Sequence, residues 1–371
     1  MSHGLSIGVV GLGYWGPNLA RNFSQLPGCG LGALCDLDPG RLEKMLPLYP
    51  GVAHYTGFEQ MLAEAAIAAV AVATPVPHHF PVAKAALLAG KHVLVEKPLA
   101  ASVAECEELI ELAESRGLSL MVGHTFLYSA SIRMIKKIID SGDLGEIRYI
   151  NSQRLNLGLF QKDINVVWDL APHDISIILH LLGRMPDFVN CQGNAHITPG
   201  IEDVSNLSLS FKSGQFATIQ SSWLEPRKVR QMTIVGTRKM IVYDDIAPME
   251  KIRIYDTRIE RPPHYDSFGE FHYSYHYGDS FVPYIEQSEP LRQMCQHFVD
   301  GVVTGSRLLS CGRSGLEVLR ILEASSKSLK ASGAAMTVEI PAAFHPALTV
   351  VNGHGSGVEE PSHGRYAASL S

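Results

Sequence analysis

The stretch Ser6-Ile7-Gly8-Val9-Val10-Gly11-Leu12-Gly13-Tyr14-Trp15-Gly16-Pro17 decides the fold. A run of strand character leads into G-x-G-x-x-G, and Pro17 stands where the first turn of a helix tolerates a missing N–H. In a strand-turn-helix setting each glycine has its own task. Gly11 permits the tight turn, Gly13 lets a pyrophosphate approach the backbone, and Gly16 allows close helix packing. The helix N-terminus, flanked by Tyr14 and Trp15, adds N–H groups and the positive end of its dipole. About 20 residues past Gly16, Asp36 ends the next strand, where a carboxylate accepts hydrogen bonds from a ribose diol and repels a 2′-phosphate. Leu37, rather than an arginine, stands beside it. The reading is NAD in preference to NADP.

Working outward, β-branched runs and helical segments alternate as far as Val122, the signature of βαβ units around a parallel sheet. The strand candidates are Ser6–Val10, Gly32–Cys35, Ala69–Ala73, His92–Val95 and Leu120–Val122. Ser102 and Glu105 form a capping box, predicting a helix that runs to Gly117 and buries Cys106, Leu109, Ile110 and Ala113. Near residue 123 the rhythm changes, and after one amphipathic helix the chain reads as strands of an antiparallel sheet. Leu207, Leu209 and Phe211 alternate with serines and turn at Ser213-Gly214 into Phe216–Trp223, a hairpin. Helices are expected over Leu291–Val303 and Ser314–Lys330. At roughly 150 residues per domain, the 371 residues suit two domains. They divide as 1–123, dinucleotide-binding; 124–335, an α+β substrate and oligomerisation domain; and 341–371, a mobile tail rich in Gly, Ser, His and Pro.

Several function classes fall away. The net charge is −6 with no Lys/Arg block, which argues against nucleic acid. The longest apolar run, Ala65–Ala73, is too short for a membrane span, and Met1-Ser2-His3-Gly4 does not begin a signal peptide, so a cytoplasmic protein is expected. The six cysteines hold no C-x-x-C pair, and His272 and His276 lack a third ligand, so no metal site is expected.

Thr74-Pro75 follows the Ala69–Ala73 strand and Glu96-Lys97-Pro98 follows His92–Val95, so both stand at carboxyl ends of parallel strands, where ligands bind in such sheets. A lysine directed into a cleft donates to a substrate hydroxyl, whereas on a surface Lys97 would merely pair with Glu96. In Trp168-Asp169-Leu170-Ala171-Pro172-His173-Asp174, Asp169 and His173 are four apart. With Asp169 at a helix start, its carboxylate orients an imidazole that works as general acid or base; the alternative is an aspartate N-cap beside a merely hydrogen-bonded histidine.

In order, these pieces resemble the glucose-fructose oxidoreductase/inositol dehydrogenase/MocA family over roughly residues 5–335. The matching residues are the glycine motif, Asp36, Ala73-Thr74-Pro75 with His79, Ala89-Gly90-Lys91-His92-Val93, Glu96-Lys97-Pro98 and the Asp169/His173 spacing. The resemblance implies a Rossmann domain joined to an α+β domain with a large, open, mostly antiparallel sheet. It also implies oxidation of a secondary hydroxyl, or reduction of the ketone, by NAD(P). Gly11, Gly13, Tyr14, Trp15, Gly16, Asp36, Thr74, Pro75, His79, Glu96, Lys97 and His124 would then contact cofactor. Lys97 would also meet the substrate hydroxyl, Asp169 would hold sugar and imidazole, and His173 would take the hydroxyl proton.

Ala171-Pro172 replace a usual Gly-containing stretch and Ser176 a frequent Asp, while Trp168–Asp174 resembles a branch associated with aminosugar, surface-polysaccharide and secondary-metabolite pathways. A nucleotide-activated or phosphorylated sugar is therefore the expected substrate, with Tyr128, Arg154 and Trp168 as outer contacts. Arg154, Asn156, Arg227, Lys228 and Arg230 read first as solvated sheet-edge charge and second as contacts for a substrate phosphate. Phe271–Tyr277 alternates like a strand that lines the substrate mouth or a subunit contact. The alternatives are an inositol-type cyclitol dehydrogenase and a non-catalytic dinucleotide-binding sensor, which would have no use for Lys97, Asp169 and His173 together. An open sheet exposing apolar alternates such as Leu207, Leu209 and Phe211, or their neighbours, predicts a homodimer or homotetramer through the C-terminal sheet.

Overall fold

The computed structural model describes residues 4–158, 160–161, 164–260 and 274–339. The first half carries strands β1 (Leu5–Val10), β2 (Cys29–Cys35), β3 (Ala53–Tyr55), β4 (Ala69–Val72), β5 (His92–Val95) and β6 (Leu120–Val122). They form one parallel sheet in the order β3-β2-β1-β4-β5-β6. This is the doubly wound order in which dinucleotides bind where the strand order reverses, beyond the carboxyl ends of the strands. Helices α1 (Gly16–Gln25), α2 (Pro39–Met45), α3 (Phe58–Glu64), α4 (His79–Leu88) and α5 (Val103–Ser115) connect them. Every residue of β4 is buried, as expected for a strand covered on both faces.

At α5 the capping box forms with one change. Ser102 Oγ accepts from the Glu105 N–H, but Glu105 Oε2 reaches back to the Ala101 N–H rather than to that of Ser102. The helix buries Cys106, Leu109, Ile110 and Ala113 and stops at Ser115, two residues short of Gly117.

The second sheet is built from β7 (Ile147–Leu157), β8 (Phe188–Asn194), β9 (Val204–Ser210), β10 (Phe216–Ser222), β11 (Leu224–Gly236), β12 (Met240–Asp244), β13 (Ile252–Glu260), β14 (Ser274–Phe281) and β15 (Met336–Thr337). Its order is β14-β13-β12-β11-β7-β10-β9-β8-β15, antiparallel except where β10 runs parallel to β7. Helices α6 (Ala130–Asp140), α7 (Val166–Leu182), α8 (Pro290–Thr304) and α9 (Gly312–Lys330) accompany it. Of these, α8 packs on α1 and α9 on α5 and β6, so the C-terminal helices return to the dinucleotide-type half. The expected aromatic stretch lies partly outside the described residues (Phe271, His272 and Tyr273), and so does the tail 341–371.

Of the alternates expected on the open face, it is the neighbours of Leu207, Leu209 and Phe211 that point outward. Leu207, Leu209 and Phe211 are buried, because their face packs toward the helices. The open face instead carries their neighbours Asn206, Ser208 and Ser210, and amide and hydroxyl pairs such as Asn151 with Thr218 and Gln153 with Gln220. Its apolar part is local: Phe188, Phe216 and Tyr149 are exposed and lie along one row of the register, with Ser210 between the two phenylalanines. Among the described residues no helix is long and apolar enough to cross a membrane.

Candidate active site

The glycine turn between β1 and α1 separates into structural and open positions. A Cβ on Gly16 would lie 1.9 Å from the Gly11 carbonyl oxygen, and one on Gly11, whose φ is +87°, would lie 2.7 Å from the Ala73 backbone. These two glycines let β1, β4 and α1 meet. A Cβ on Gly13 would find only Arg41 Nη1, 3.8 Å away. Gly13 therefore faces open space at a helix N-terminus, the cradle a pyrophosphate requires. The residues present fit a dinucleotide. Tyr14 and Trp15 are exposed beside the cradle and meet edge to face.

Asp36 is almost fully buried and already occupied. Its Oδ2 accepts from the Leu12 N–H at 2.6 Å, and its Oδ1 accepts from the Asp38 N–H at 2.9 Å. Arg41 Nη1 donates to Oδ2 at 3.3 Å. Reading Leu37 as the neighbour of Asp36 overlooked Arg41, a turn further on in α2. The signal for it was a cation one helical turn past a strand-ending acid. An acid and a guanidinium thus share the position where a ribose would sit.

At the ends of β4 and β5, His79 is held by the fold. It was expected to contact cofactor, but its ring is 1% exposed, and Nδ1 and Nε2 lie 2.7 and 2.8 Å from the carbonyl oxygens of Pro98 and Thr74. Both partners are acceptors, so neither ring nitrogen has a polar atom left for a ligand. His79 ties the Thr74-Pro75 turn to the turn that carries Lys97. Burial lowers its pKa, although both carbonyls favour the protonated ring. By contrast, Thr74 Oγ1 and both nitrogens of His124 are buried and have no hydrogen-bond partner among the described residues. Such atoms require a partner that the described residues do not supply. Burial, reinforced by Lys97, pushes the His124 pKa down to about 4. Glu96, also buried, is pushed up to about 7 by desolvation, against the opposing pull of Lys97.

The third group of residues lies on α7. The helix begins at Val166, and Asn165 caps it by accepting from the Trp168 N–H. Asp169 is thus not the cap: it occupies the first turn, with Pro172 inside the helix. Proline supplies no N–H, so the Trp168 carbonyl loses its helical partner and the ladder is interrupted here. One residue on, the Asp169 carbonyl accepts from Lys97 Nζ at 2.8 Å, and Asp169 Oδ1 lies 3.6 Å from the same nitrogen. Asp169 Oδ2 accepts from Trp223 Nε1 at 3.2 Å. Among the described residues no side-chain hydrogen bond joins Asp169 to His173, so the expected carboxylate-to-imidazole orientation is not what positions the ring. His173 is instead held edge to face against Phe126, with ring centroids 4.9 Å apart, and its Nδ1 is buried without a partner. Burial first, then the positive charges of Lys97, Arg154 and Arg230, hold its pKa well below the ordinary value, so the ring is neutral at pH 7. Lys97 is itself lowered by desolvation, which Asp169 opposes.

Three outer residues land differently from their expected roles. Tyr128 is buried, shares a hydrogen bond with Ser310 at 3.0 Å and packs on His297. Trp168 donates its indole N–H to Ser326 of α9 at 2.8 Å. Both therefore spend their polar atoms on the fold. Arg154 is not a solvated edge charge. It is 5% exposed, and its Nε and Nη2 bind Asp174 at 2.7 and 3.2 Å. Removing one partner of such a buried pair costs about 3–5 kcal/mol. The guanidinium of Arg154 lies over the Phe126 ring at 4.6 Å. Sequence reasoning missed Phe126 and gave Asp174 no role. The signal was available in β7, where a charge at 154 follows the core-facing period of Ile150 and Ser152 and so demands a buried acid.

Comparison with known proteins follows this division. Residues 5–124 match the family described as "Oxidoreductase family, NAD-binding Rossmann fold", and residues 132–242 match the "GFO/IDH/MocA C-terminal domain". UDP-N-acetylglucosamine 3-dehydrogenase of Acidithiobacillus ferrooxidans is 29% identical over 235 residues, 61% of this chain and 70% of that protein. A solved structure of that enzyme superposes with a TM-score of 0.73 at 24% identity, covering 90% of this chain and 99% of the other. A 1-carboxy-3-chloro-3,4-dihydroxycyclohexa-1,5-diene dehydrogenase of Comamonas testosteroni is 30% identical over 229 residues, 59% of this chain and 58% of that protein.

Proposed function

The chain belongs to the GFO/IDH/MocA family of NAD-binding oxidoreductases, and on that premise we propose that it moves a hydride between NAD and a secondary ring hydroxyl, or the corresponding ketone, of a nucleotide-activated or phosphorylated sugar. It is an enzyme acting on CH–OH donors. The observation that carries the finer reading is the convergence of three groups beyond the strand ends. Lys97 is held by the Asp169 carbonyl, Asp169 is anchored by Trp223, and a neutral His173 lies within electrostatic reach of Lys97.

When bound, NAD supplies the hydride acceptor. The chain's own residues do the rest. The Lys97 ammonium donates to the reacting oxygen and steadies the negative charge that develops there. A neutral His173 accepts the hydroxyl proton, a task that an already protonated ring could not perform. Asp169 favours the charged form of Lys97 against the desolvation that opposes it, and its carbonyl holds the amine in place. Trp223 anchors the Asp169 carboxylate through its indole N–H, and Phe126 packs edge to face against the His173 ring. Such positioning is the protein's share of a cofactor reaction. We assign NAD rather than NADP because the Asp36 carboxylate stands where a 2′-phosphate would be repelled.

The named substrates of the two dehydrogenases above are a UDP-linked aminosugar and a carboxylated dihydroxycyclohexadiene, each a ring bearing hydroxyls and an anionic group. With NAD, nucleotide-activated sugars are expected to give a higher kcat/KM than myo-inositol or free hexoses. Faster NADH formation with myo-inositol turns the assignment to a cyclitol dehydrogenase. Absence of turnover in either direction, including NADH with keto-sugars, leaves a non-catalytic binder. The open sheet face with its Phe188, Phe216 and Tyr149 row is assigned to a second copy of the chain, giving a homodimer or homotetramer.

A further inference from the structure

Arg154 of β7 and Arg230 of β11 are direct cross-strand neighbours on the helix-covered face of the second sheet. Like charges placed opposite one another in a sheet are destabilising unless anions answer them. Arg154 is answered in full by the bidentate Asp174. Arg230 is answered poorly. Among the described residues its nearest carboxylate is Asp245 at 3.5 Å, and that same carboxylate lies 3.7 Å from Lys251 and accepts from the Tyr243 hydroxyl at 3.0 Å. One acid is thus shared by two cations. Arg230 keeps about a third of its side chain exposed.

The position of that residual charge is defined by Phe126. The Arg154 guanidinium lies over the ring at 4.6 Å and that of Arg230 at 5.7 Å, while the edge-to-face contact on the same ring is His173. The under-neutralised guanidinium therefore stands one aromatic ring away from the imidazole that we assign as base. A ring substrate with its hydroxyl at His173 and Lys97 would extend a substituent about one ring width toward Arg230. A planar guanidinium there suits a phosphoryl or carboxylate group, which accepts two parallel N–H bonds.

We propose that Arg230 forms an anion subsite, so that the substrate is a hydroxylated ring carrying a phosphoryl or carboxylate group. This rests on the dehydrogenase reading for the placement of the ring, but its test is binding, which needs no turnover. The NAD-loaded full-length protein is titrated calorimetrically with glucose, glucose 6-phosphate, glucuronate and UDP-glucose. The anionic ligands are expected to bind about 10–150-fold more tightly than glucose at low salt, the value of one charge-assisted hydrogen bond. Arg230→Gln is expected to erase that preference while NAD affinity holds, and Arg230→Lys to keep part of it. Preference for glucose 6-phosphate and UDP-glucose alone identifies a phosphoryl group, and preference for glucuronate a carboxylate. Equal binding of all four ligands overturns the proposal, as does an Arg230→Gln protein with the wild-type preference. Should Arg230→Gln fail to fold, loss of the preference with added salt in both wild type and Arg230→Lys decides the matter, and a salt-independent preference overturns the proposal. An anion preference without turnover in either direction, neither NADH from sugars nor NADH consumption with keto-sugars, defeats the dehydrogenase reading and leaves the subsite standing.

Discussion

Replacing Gly13 by alanine is expected to separate cofactor binding from folding. The new Cβ meets only Arg41 Nη1 at 3.8 Å, an ordinary contact with a flexible side chain, and Gly13 does not have the positive φ that would strain an alanine. Stability is expected to stay within about 0.5 kcal/mol of wild type, as for other surface changes away from special features. The same methyl group occupies the approach through which pyrophosphate oxygens reach the turn. Losing one hydrogen bond to a charged oxygen costs about 1.5–3 kcal/mol, or roughly 10–150-fold in affinity. Gly16→Ala provides the contrast, since its Cβ would overlap the Gly11 carbonyl at 1.9 Å and must move α1. Differential scanning fluorimetry and NAD titration calorimetry read the two quantities separately. A Gly13→Ala protein that binds NAD with wild-type affinity, or that loses as much Tm as Gly16→Ala, refutes the division of labour within the motif.

Glu96, at about 7 in the fold against an ordinary 4.5, is stable when protonated. Its contribution is complete below pH 4.5 and is lost as pH rises through 7, roughly 3 kcal/mol by linkage, so urea midpoints of wild type and Glu96→Gln are expected to diverge across that window; parallel curves contradict the assignment. Lys97→Ala and His173→Ala should bind NAD nearly normally yet lose about 10²–10⁴-fold in turnover, and unchanged turnover in the His173 variant removes it as the base. Arg41→Ala should weaken NADP more than NAD, because the guanidinium is the only group of those bound to Asp36 that could face a 2′-phosphate; equal losses in a cofactor competition assay argue otherwise. Light scattering is expected to return a multiple of the 40.5 kDa chain mass, and a monomer mass withdraws the sheet-face assembly.

The parts of the molecule legible in the sequence are those whose pattern is local. The glycine turn, the α5 cap and the β9–β10 hairpin each declare themselves within about a dozen residues, because turn chemistry and period-two or helical spacing act over that range. Strand β3 escaped, since Ala53–Tyr55 is three residues long and half exposed. His79 was placed at the right turn, but its backbone partners were not foreseen. Nothing in a sequence says that its two nitrogens will meet carbonyls from residues 74 and 98. Leu207 and Leu209 were correctly assigned to one face, but which face the helices cover is settled by a crossover in the sheet order. The pairing of Arg154 with Asp174 and Arg230 depends on three separate elements meeting in register, which no local pattern encodes.

The isolated bridge between Met121 and Cys311, with the Val122 N–H donating to the Ser310 carbonyl at 2.7 Å, bears on how the chain is made. Strand β6 is the outer strand of the first sheet, and its unpaired rim is sealed by a segment nearly 190 residues further along. At translation speeds of about 5–20 residues per second, that rim waits roughly 10–40 s for its cover. Throughout this interval the nascent first half displays an open hydrogen-bonding edge, with Gly312 and Gly315 not yet seated on Leu120 and Val122. An uncovered edge of this kind is a template for pairing with another chain. Fragments that end before Ser310 are therefore expected to associate rather than persist as free nucleotide-binding units, and the Ser310-Cys311 segment with the helix that follows it serves as the chaperone that the first sheet carries in its own sequence.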